Sequence, residues 1–570
     1  MQILVLGGLG EVGMNCLALE QGGQVLVIDC GVTFDDRGLG IDVVHPDLAA
    51  LDGYRVAGLF VTHGHEDHIG AIPYFLRRHD VPVYGPAYAL SLLRERAAEH
   101  EVLAHADLRS VKPRAIERVG PFEVEPVRVT HSIADATALA VRSEAGLVVH
   151  TGDFKFDEAP PDGEEFDVER FGELGREGVD LLFSDSTNID ASGPTGSEEG
   201  VGEALEAIVA AAEQAVVVAV FASNVHRLRM LGEIARRHGR KIVPLGRSVS
   251  THARVAQSTP RSTGQHAGRP YLEWPPDLVW PSERARELAK RQILSVATGS
   301  QGEKMAALAR LARGDHPSFD LGAGDVVVLS SRVIPGHEPE VMQVMNGLLR
   351  REVDVRSWHS NRAVHVSGHA HRQEQRRMLE LARPRAFVPV HGTLHHLRRH
   401  AELAREVGVE HVTVLENGDV AALVRGAGVR KTSRFASGRV HVAAGRALPA
   451  KVIAERGAIA SLGVVHVSVA VDADGRLAGD IGIATRGVLD GDLDGEVVTR
   501  ARGEARRSLE EAVATGAPLD DERVAEVVRL GARREFARTL GFKPVTTASV
   551  VRVGRLGDPS RPSPQPRSGG

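Results

Sequence analysis

Short apolar runs alternate with turn residues through the N-terminal part of the chain. Runs of Val, Leu and Ile of this length predict buried β-strands. Several of them end directly at histidine or aspartate, so polar positions cluster where the predicted strands finish. The predicted strands are 2–6, 24–30, 55–61, 81–85, 122–129, 139–141, 147–150 and 180–183, and helical periodicity occurs at 69–78, 87–99 and 197–214.

From residue 215 to about residue 351 the pattern changes to alternating strands and helices. Strands are predicted at 216–221, 241–244, 293–299 and 325–331, with a helix at 225–237. This alternation is typical of a parallel sheet, so an inserted α/β domain is expected. A helix at 373–381 and a strand at 386–389 follow the insertion.

The C-terminal part of the chain predicts a small α+β domain. Its strands are predicted at 464–471 and 545–553, and its helices at 500–515 and 522–540. Residues 431–455 show no clear periodicity and are expected to form a linker. Residues 557–570 are rich in Pro, Ser, Gly and Arg, which predicts a disordered tail.

Composition narrows the class of protein. A chain of 570 residues is too long for one core, so two or three domains are expected. With 42% hydrophobic residues, and no run apolar enough to span a bilayer, a soluble protein is predicted. The N-terminus lacks a basic region ahead of its first strand, so no signal peptide is expected. Two cysteines, Cys16 and Cys30, favour a reducing cytoplasm over a disulfide framework.

The net charge of −6 provides no global attraction to nucleic acid. Any polyanion would therefore have to be bound in a local basic channel.

The segment His63-Gly-His-Glu-Asp-His68 carries the strongest chemical signal. Three histidines and two acids lie within six residues, directly after the predicted strand 55–61. Imidazole nitrogens and carboxylate oxygens are the ligands of Zn²⁺ and Mn²⁺. A solvated polar loop is the alternative, but titratable side chains this dense gain nothing from packing together.

Four predicted strands end in such polar clusters, at His63–His68, His131, Asp153 and Asp185. His391 ends a fifth strand, beyond the insertion. Loops at strand ends commonly carry active sites because a sheet holds them in place. The set therefore predicts one site assembled from distant parts of the chain.

Three other features of the sequence could have a functional or a structural role. Gly8-Leu-Gly-Glu-Val-Gly13 matches a dinucleotide-binding fingerprint, but Gln21-Gly-Gly23 predicts a hairpin turn instead of the required helix. Asp29 ends a buried strand, where its carboxylate can support a metal ligand. His395, His396 and His400 are predicted to be surface residues of a helix.

Several motifs of the sequence resemble those of a known family. His63-Gly-His-Glu-Asp-His68, His131, Asp153 and His391 form the ligand series of the metallo-β-lactamase fold. Within that fold the chain resembles the β-CASP branch, and there the ribonuclease J family. The resemblance covers about residues 1–556 and rests on Gly7-Gly-Leu-Gly-Glu-Val-Gly13, Ser184-Asp-Ser-Thr-Asn188, Ala222-Ser-Asn-Val-His-Arg227, Thr298-Gly-Ser-Gln-Gly-Glu303, Ser330-Ser-Arg-Val-Ile-Pro-Gly336 and His365-Val-Ser-Gly-His369.

The resemblance implies an α/β fold, namely an αββα sandwich with an inserted β-CASP domain and a small α+β C-terminal domain. The domain boundaries expected are 1–195 and 356–430 for the two parts of the metallo-β-lactamase core, 196–355 for the β-CASP domain, 431–455 for the linker, 456–556 for the C-terminal domain and 557–570 for the tail.

The resemblance also implies a function. The expected activity is a zinc-dependent ribonuclease that degrades 5′-monophosphate RNA from 5′ to 3′, with endonuclease cleavage as a further activity. Such an enzyme would act in mRNA decay and rRNA processing in the cytoplasm. Its expected partners are RNA and further copies of itself, as a homodimer or homotetramer formed through residues 456–556, and no membrane.

The implied cofactors are two Zn²⁺ ions per subunit, with Mn²⁺ or Mg²⁺ as alternatives in activity. One ion would be held by His63, His65 and His131, and the other by Asp67, His68 and His391. Asp153 would bridge the two. Expected substrate-binding residues are Ser223, Asn224, His226, Ser331, His365, Val366, Ser367, Gly368 and His369.

Three residues are expected to be catalytic. Asp67 orients the nucleophile, His369 stabilises charge or donates a proton at the leaving oxygen, and Asp185 fixes the tautomer of His369. The backbone amides of Ser367 and Gly368 are expected to form an anion nest for a terminal 5′-monophosphate.

Three alternatives stay open from the sequence. A small-molecule metallohydrolase of the same fold needs neither the inserted domain nor the loop 365–369. A nuclease acting on DNA is separated from a ribonuclease only by the resemblance. A catalytically inactive RNA-binding subunit is disfavoured because all seven ligand positions are present.

Overall fold

A computed structural model describes residues 1–35, 37–334, 336–490 and 495–553 of the protein. Contacts divide the chain into two compact units, Met1–Phe34 with Val43–Val440, and Asp35–Asp42 with His441 onward. The predicted disordered tail, 557–570, lies outside the described residues. Within them, no helix is both long enough and apolar enough to cross a bilayer.

Two mixed sheets form the core of the larger unit. The first has eight strands, in the order Gly428–Arg434, Asp419–Val424, Gln2–Gly7, Cys16–Gln21, Gln24–Ile28, Arg55–Phe60, Val83–Gly85 and Leu108–Ser110. The second has seven, in the order His411–Val412, Ala386–Val390, Leu181–Asp185, Gly146–His150, Thr137–Ser143, Phe122–Arg128 and Glu117–Val119.

The two sheets pack face to face. Alternate side chains such as Leu19 and Phe60 of the first sheet meet Val148 and Phe183 of the second in one buried cluster. The opposite faces of the sheets are covered by helices. Glu66–Ile69, Ile72–Leu76 and Ala87–Glu95 cover the first, and Val168–Glu177, Arg372–Ala382 and Leu394–Val407 cover the second. The predicted αββα sandwich is confirmed.

The insertion forms a five-stranded, fully parallel sheet, as its alternating pattern predicts. The strand order is Lys241–Leu245, Ile293–Ala297, Val216–Ala219, Val326–Leu329 and Asp354–Ser357. One face packs on helices Glu198–Ala211, Val225–Arg237 and Arg247–Ser258, and the other on Ala307–Arg313 and Glu338–Leu349.

Helix Arg247–Ser258 was missed by the sequence prediction. Its sequence contains Ser, Thr and His, which are weak helix formers, and its few buried positions include Val249, Ala253 and Ala256. The helix is stabilised by packing that narrow apolar face onto the insertion sheet, which local sequence does not reveal.

The second unit contains a three-stranded sheet, in the order Gly482–Arg486, Val464–Val471 and Val545–Arg552. Helices Gly495–Ala514 and Asp521–Leu540 pack on it around one apolar cluster. Helix Ala450–Leu462 precedes the sheet. The small α+β domain predicted from the sequence is present, although the strand Gly482–Arg486 was not predicted.

The stretch predicted as a linker, 431–455, contains regular structure. It holds the end of strand Gly428–Arg434, strands Arg439–Ala443 and Arg446–Leu448, and the start of a helix. Strand Gly428–Arg434 lies at a sheet edge and is exposed over its last five residues. Edge strands lack an alternating apolar pattern because little of their surface is buried. The domain boundaries proposed above remain a prediction.

The glycine-rich segment Gly8–Gly13 does not open a helix. The chain runs instead into strand Cys16–Gln21, which pairs antiparallel with Gln24–Ile28 across the predicted turn. Leu9–Gly10 pairs with Gly392–Thr393, so the segment lies next to His391. A dinucleotide site is excluded by this topology, as the sequence predicted.

Candidate active site

The seven predicted metal ligands come together where strands of both sheets end. His63–His68 follows Arg55–Phe60, His131 follows Phe122–Arg128, and Asp153 follows Gly146–His150. His391 ends Ala386–Val390 in a left-handed backbone conformation, with φ of 53°. Such strain in a buried non-glycine residue is typical of functional sites. The ligand atoms form two groups, each within 4.8 Å, which are His63, His65, His131 and Asp153, and Asp67, His68, Asp153 and His391.

Three imidazoles converge in the first group. His65 Nδ1 lies 3.0 Å from His63 Nε2 and 3.1 Å from His131 Nε2. Burial lowers the pKa of His65 to about 4 and holds the pKa values of His63 and His131 well below their usual range. Neutral imidazoles with converging lone pairs are the donor set that a divalent cation requires.

The second group is richer in negative charge. His68 Nε2 lies 3.2 Å from Asp153 Oδ2, and His391 Nε2 lies 3.1 Å from Asp67 Oδ2. Burial works against protonation of both histidines, but neighbouring carboxylates, Asp153 foremost, raise their pKa values well above the ordinary one. The buried carboxylate of Asp153 and the half-buried carboxylate of Asp67 thus favour a positive charge at this point, and a divalent cation meets that requirement.

The outer nitrogens of the ligand histidines are also engaged. His68 Nδ1–H donates to Asp29 Oδ2 at 2.7 Å, and His131 Nδ1–H donates to the carbonyl of Gly368 at 2.6 Å. Nδ1 of His391 contacts Thr187 Oγ1. These contacts fix the orientation of each ring and place its inward nitrogen where it could bind a metal ion. Asp29 has the supporting place expected of it, whereas Thr187 was overlooked although it lies in the motif that drew attention to Asp185.

Replacing Asp29 with Asn is expected to weaken metal binding about 10- to 100-fold. Both oxygens of Asp29 accept hydrogen bonds, from Thr62 N–H, Thr62 Oγ1–H and His68 Nδ1–H. The NH2 group of an asparagine side chain would therefore face another donor. Asn tolerates the left-handed backbone of this position, where φ is 58°. Metal content should be measured during chelator titration, with Asp52→Asn, an exposed position, as control. Unchanged metal retention in the Asp29 variant would contradict the supporting role.

Asp185 and His369 form a pair beside the metal ligands. His369 Nδ1 lies 2.8 Å from Asp185 Oδ2 and 3.9 Å from Asp153 Oδ2. Burial opposes charge on the imidazole, but Asp185 raises the pKa of His369 above its ordinary value. The contact places the proton of His369 on Nδ1 and leaves Nε2 as the exchangeable nitrogen.

The loop 365–369 is held from several sides. Asn188 Nδ2 donates to Ser367 Oγ at 2.7 Å and to the carbonyl of His369 at 3.1 Å. The amide of His369 donates to Ser367 Oγ. In the part of the chain that the structure describes, the amides of Ser367 and Gly368 have no acceptor. Those two amides are therefore available to an anion, as the predicted nest requires.

The inserted domain reaches this loop through an arginine. Arg227 is fully buried, pairs with Glu198 at 2.8 Å, and places Nη1 3.3 Å from His365 Nδ1. Burial, followed by the Arg227 charge, lowers the pKa of His365 to about 3. Ser330, next to Ser331, donates through Oγ to the carbonyl of Val364. Arg227 was not predicted; its only signal was its place at the end of the motif 222–227.

Residues of the 222–227 motif have mainly structural contacts. Asn224 caps helix Val225–Arg237 by accepting from Arg227 N–H, and its amide donates to Glu198 Oε1. His226 is buried, with Nδ1 3.7 Å from Asp162 Oδ2. The structure therefore brings Asn224 and His226 to the wall of the site without leaving the Asn224 amide free. Substrate contacts by Ser223, Asn224 and His226 remain predictions.

The prediction that His395, His396 and His400 lie on the surface is wrong for His400. His400 is fully buried and its Nδ1 lies 3.1 Å from Ser186 Oγ. Leu397, Ala401 and Ala404 are buried on the same helix. Their spacing marks an inward face that includes position 400, so the helical period could have revealed it.

Four family models match successive parts of the chain. The family models that match are "Metallo-beta-lactamase superfamily" at residues 9–208, "Ribonuclease J, beta-CASP domain" at 213–348, "Zn-dependent metallo-hydrolase RNA specificity domain" at 360–414 and "Ribonuclease J C-terminal domain" at 451–553.

Two relatives with similar sequences are both named Ribonuclease J. A protein called Ribonuclease J from Synechocystis is 38% identical over 499 residues, which are 86% of this chain and 76% of the relative. A second, from Mycolicibacterium smegmatis, is 35% identical over 565 residues and 97% of both chains. A solved structure of a protein of unknown function from Enterococcus faecalis V583 is 17% identical, with a TM-score of 0.51 over 74% of this chain and 99% of that one. It supports the fold alone.

Proposed function

The chain belongs to the ribonuclease J family of metal-dependent ribonucleases, and we propose that it degrades 5′-monophosphate RNA from 5′ to 3′ using two Zn²⁺ ions. Internal cleavage is proposed as a second activity, and mRNA decay and rRNA processing in the cytoplasm as its setting. The proposal rests on Asp153, whose Oδ2 belongs to both groups of possible metal ligands. The loop 365–369, where the amides of Ser367 and Gly368 have no acceptor among the described residues, lies beside them.

The donor set favours zinc. Five histidines and two aspartates supply the ligand atoms, and zinc prefers nitrogen and oxygen donors of this kind. Mn²⁺ and Mg²⁺ are further candidates because carboxylates suit them. Divalent ions held by these residues would lower the pKa of a bound water and neutralise developing negative charge on a phosphate.

The protein's own residues complete the chemistry. Asp67, whose Oδ2 lies 3.1 Å from His391 Nε2, would help to hold a metal ion and orients the attacking water. His369, with its Nδ1 proton held by Asp185, gives a proton from Nε2 to the leaving oxygen. The loop 365–369 holds the phosphate at the 5′ end of the RNA through the amides of Ser367 and Gly368.

Degradation is expected to depend on the chemistry of the 5′ end. RNA with a 5′-monophosphate should be degraded at least about tenfold faster than RNA with a 5′-hydroxyl, because charge-assisted hydrogen bonds to the nest are lost. A 5′-triphosphate should be disfavoured because it is too bulky for the pocket. The measurement is the release of labelled mononucleotide, with and without chelator, from RNAs that carry the label on the base of the first nucleotide and differ only in the 5′ end.

The outcome also separates the two modes of cleavage. Mononucleotides released first from the 5′ end support exonuclease action, whereas internal fragments support endonuclease action. Equal rates for all three 5′ ends would contradict the pocket. Release that continues in the presence of chelator would contradict the metal-dependent mechanism.

The other functions left open by the sequence are now less favoured. The matched RNA specificity domain and the ribonuclease J relatives argue against a small-molecule substrate. The convergence of all seven ligands argues against an inactive subunit. RNA substituted with 2′-deoxynucleotides would test whether the 2′-hydroxyl is required.

We also propose a homodimer or homotetramer assembled through residues 456–556. The support is the family of the C-terminal domain and several apolar side chains exposed in that unit, including Phe542, Val551 and Val553. Light scattering of the full chain and of Val551→Asp would test this proposal.

A further inference from the structure

A cavity lies in the inserted domain, apart from the residues proposed for catalysis. It has a volume of about 120 Å³ and lies between helix Val225–Arg237 and residues 261–278. A single water needs roughly 10–15 Å³ measured in this way, so a group of several heavy atoms fits. Its wall includes His266 and four arginines, which are Arg229, Arg236, Arg261 and Arg269.

The wall carries more positive than negative charge. Glu233 contacts Arg229 Nε at 3.2 Å, and Glu273 contacts Arg269 Nε at 3.1 Å. Within the described residues, no carboxylate lies within ion-pair distance of Arg236 or Arg261. The four arginines of the wall outnumber its two glutamates, although the charges of Asp162 and Glu164 also act on Arg261.

One guanidinium nitrogen is buried without a partner. Arg229 Nη1 is closed to solvent and has no acceptor among the described residues. Burial, helped by the nearby Arg229 charge, lowers the pKa of Arg261, and the opposing charges of Asp162 and Glu164 offset this only in part. Two guanidinium groups close together are unfavourable by themselves. An anion in the cavity, which the side chains of Arg229 and Arg261 line, would offset both charges.

The position of Arg261 is fixed before any ligand arrives. Its amide donates to the carbonyl of Arg269 at 2.9 Å, and Gly268 N–H donates to the carbonyl of Arg261 at 3.0 Å. Its Nη1 donates to the carbonyl of Asp162 at 3.1 Å, and its guanidinium lies 5.4 Å from the ring centre of Tyr271. A side chain held in this way loses little entropy when it binds an anion.

We propose that this cavity is a binding site for a phosphate group, separate from the metal centre. Planar guanidinium groups match the oxygens of a phosphate in pairs, and a cavity of this size admits a tetrahedral anion. The phosphate comes either from the backbone of an RNA that also reaches the active site or from free phosphate. Both sources present the same chemistry to Arg229 and Arg261.

The site can be tested by calorimetric titration of the metal-loaded protein with inorganic phosphate at constant ionic strength. Arg229→Gln is expected to weaken one binding event at least about tenfold, which is the loss expected for a charge-assisted hydrogen bond. Arg237→Gln is the matched control, because Arg237 belongs to the same helix but is exposed, pairs with Glu206 and does not line the cavity. Thermal unfolding should confirm that both variants fold.

RNA assays distinguish the sources of the phosphate. If the occupant is RNA backbone, Arg229→Gln should raise KM about tenfold for a 20-nucleotide RNA while leaving a trinucleotide unaffected. If the occupant is free phosphate, KM should not change although the calorimetric event weakens.

Either result supports the site. The proposal is overturned if folded Arg229→Gln binds phosphate as the wild type does and keeps its KM for both RNAs, or if Arg237→Gln shows the same losses. Calorimetry does not require hydrolysis, so a failure of the proposed function would be seen separately.

Discussion

Replacing Asp153 with Asn is expected to lower the rate of RNA hydrolysis by at least about a thousand-fold, because metal sites contribute several kcal/mol to the barrier. Asp153 Oδ2 lies 3.2 Å from His68 Nε2 and 3.7 Å from Nε2 of both His63 and His391. It is thus the one ligand atom common to both groups. Losing its charge should weaken both metal positions at once.

Metal content by mass spectrometry and hydrolysis of 5′-labelled RNA should be measured on the same preparation. Asp190→Asn is the control, because Asp190 is an exposed carboxylate paired with His395. Added metal should restore little activity to the Asp153 variant, since the position itself is altered. If that variant retained two ions per chain and near-normal turnover, Asp153 would not be the bridging ligand.

Much of this site could be predicted from the sequence because its ligands follow apolar strands. Ala386–Val390 is buried throughout and Arg55–Phe60 over its last three residues, and each of these apolar strands leads to a histidine of the site. Strand ends at one edge of a sandwich lie together whatever the length of chain between them. An insertion of more than a hundred residues before His391 therefore did not obscure the pattern.

The supporting contacts could not be predicted in the same way. Thr187, Asn188 and Arg227 act through hydrogen bonds to residues far away in sequence, such as Asn188 to Ser367. Polar side chains of this kind are common in loops, so their local sequence does not separate them from ordinary turn residues. Their partners are defined only after both sheets and the insertion have folded.

Replacing His369 with Ala is expected to lower kcat about 10²- to 10⁴-fold, the range typical of a proton-transferring group. Metal content should stay near that of the wild type, because Nδ1 of His369 is engaged by Asp185 and the seven ligands remain. KM should change less than kcat if the group acts on the leaving oxygen. His395→Ala, an exposed histidine, is the control.

Asp185→Asn and the double variant then distinguish a proton donor from a metal ligand. If Asp185 acts by holding the proton on His369 Nδ1, its loss should matter little once His369 is gone, so the two effects should not add. Additive losses would mean that Asp185 acts separately, for instance through its 3.5 Å contact with His391 Nδ1. Loss of metal from His369→Ala would make His369 a ligand, as its place in the cluster with Asp153, Asp185 and His391 also permits. We expect full metal content and a non-additive loss of kcat. The reason is that Asp185 Oδ2 contacts His369 at Nδ1, where it holds the proton and leaves Nε2 for the leaving oxygen.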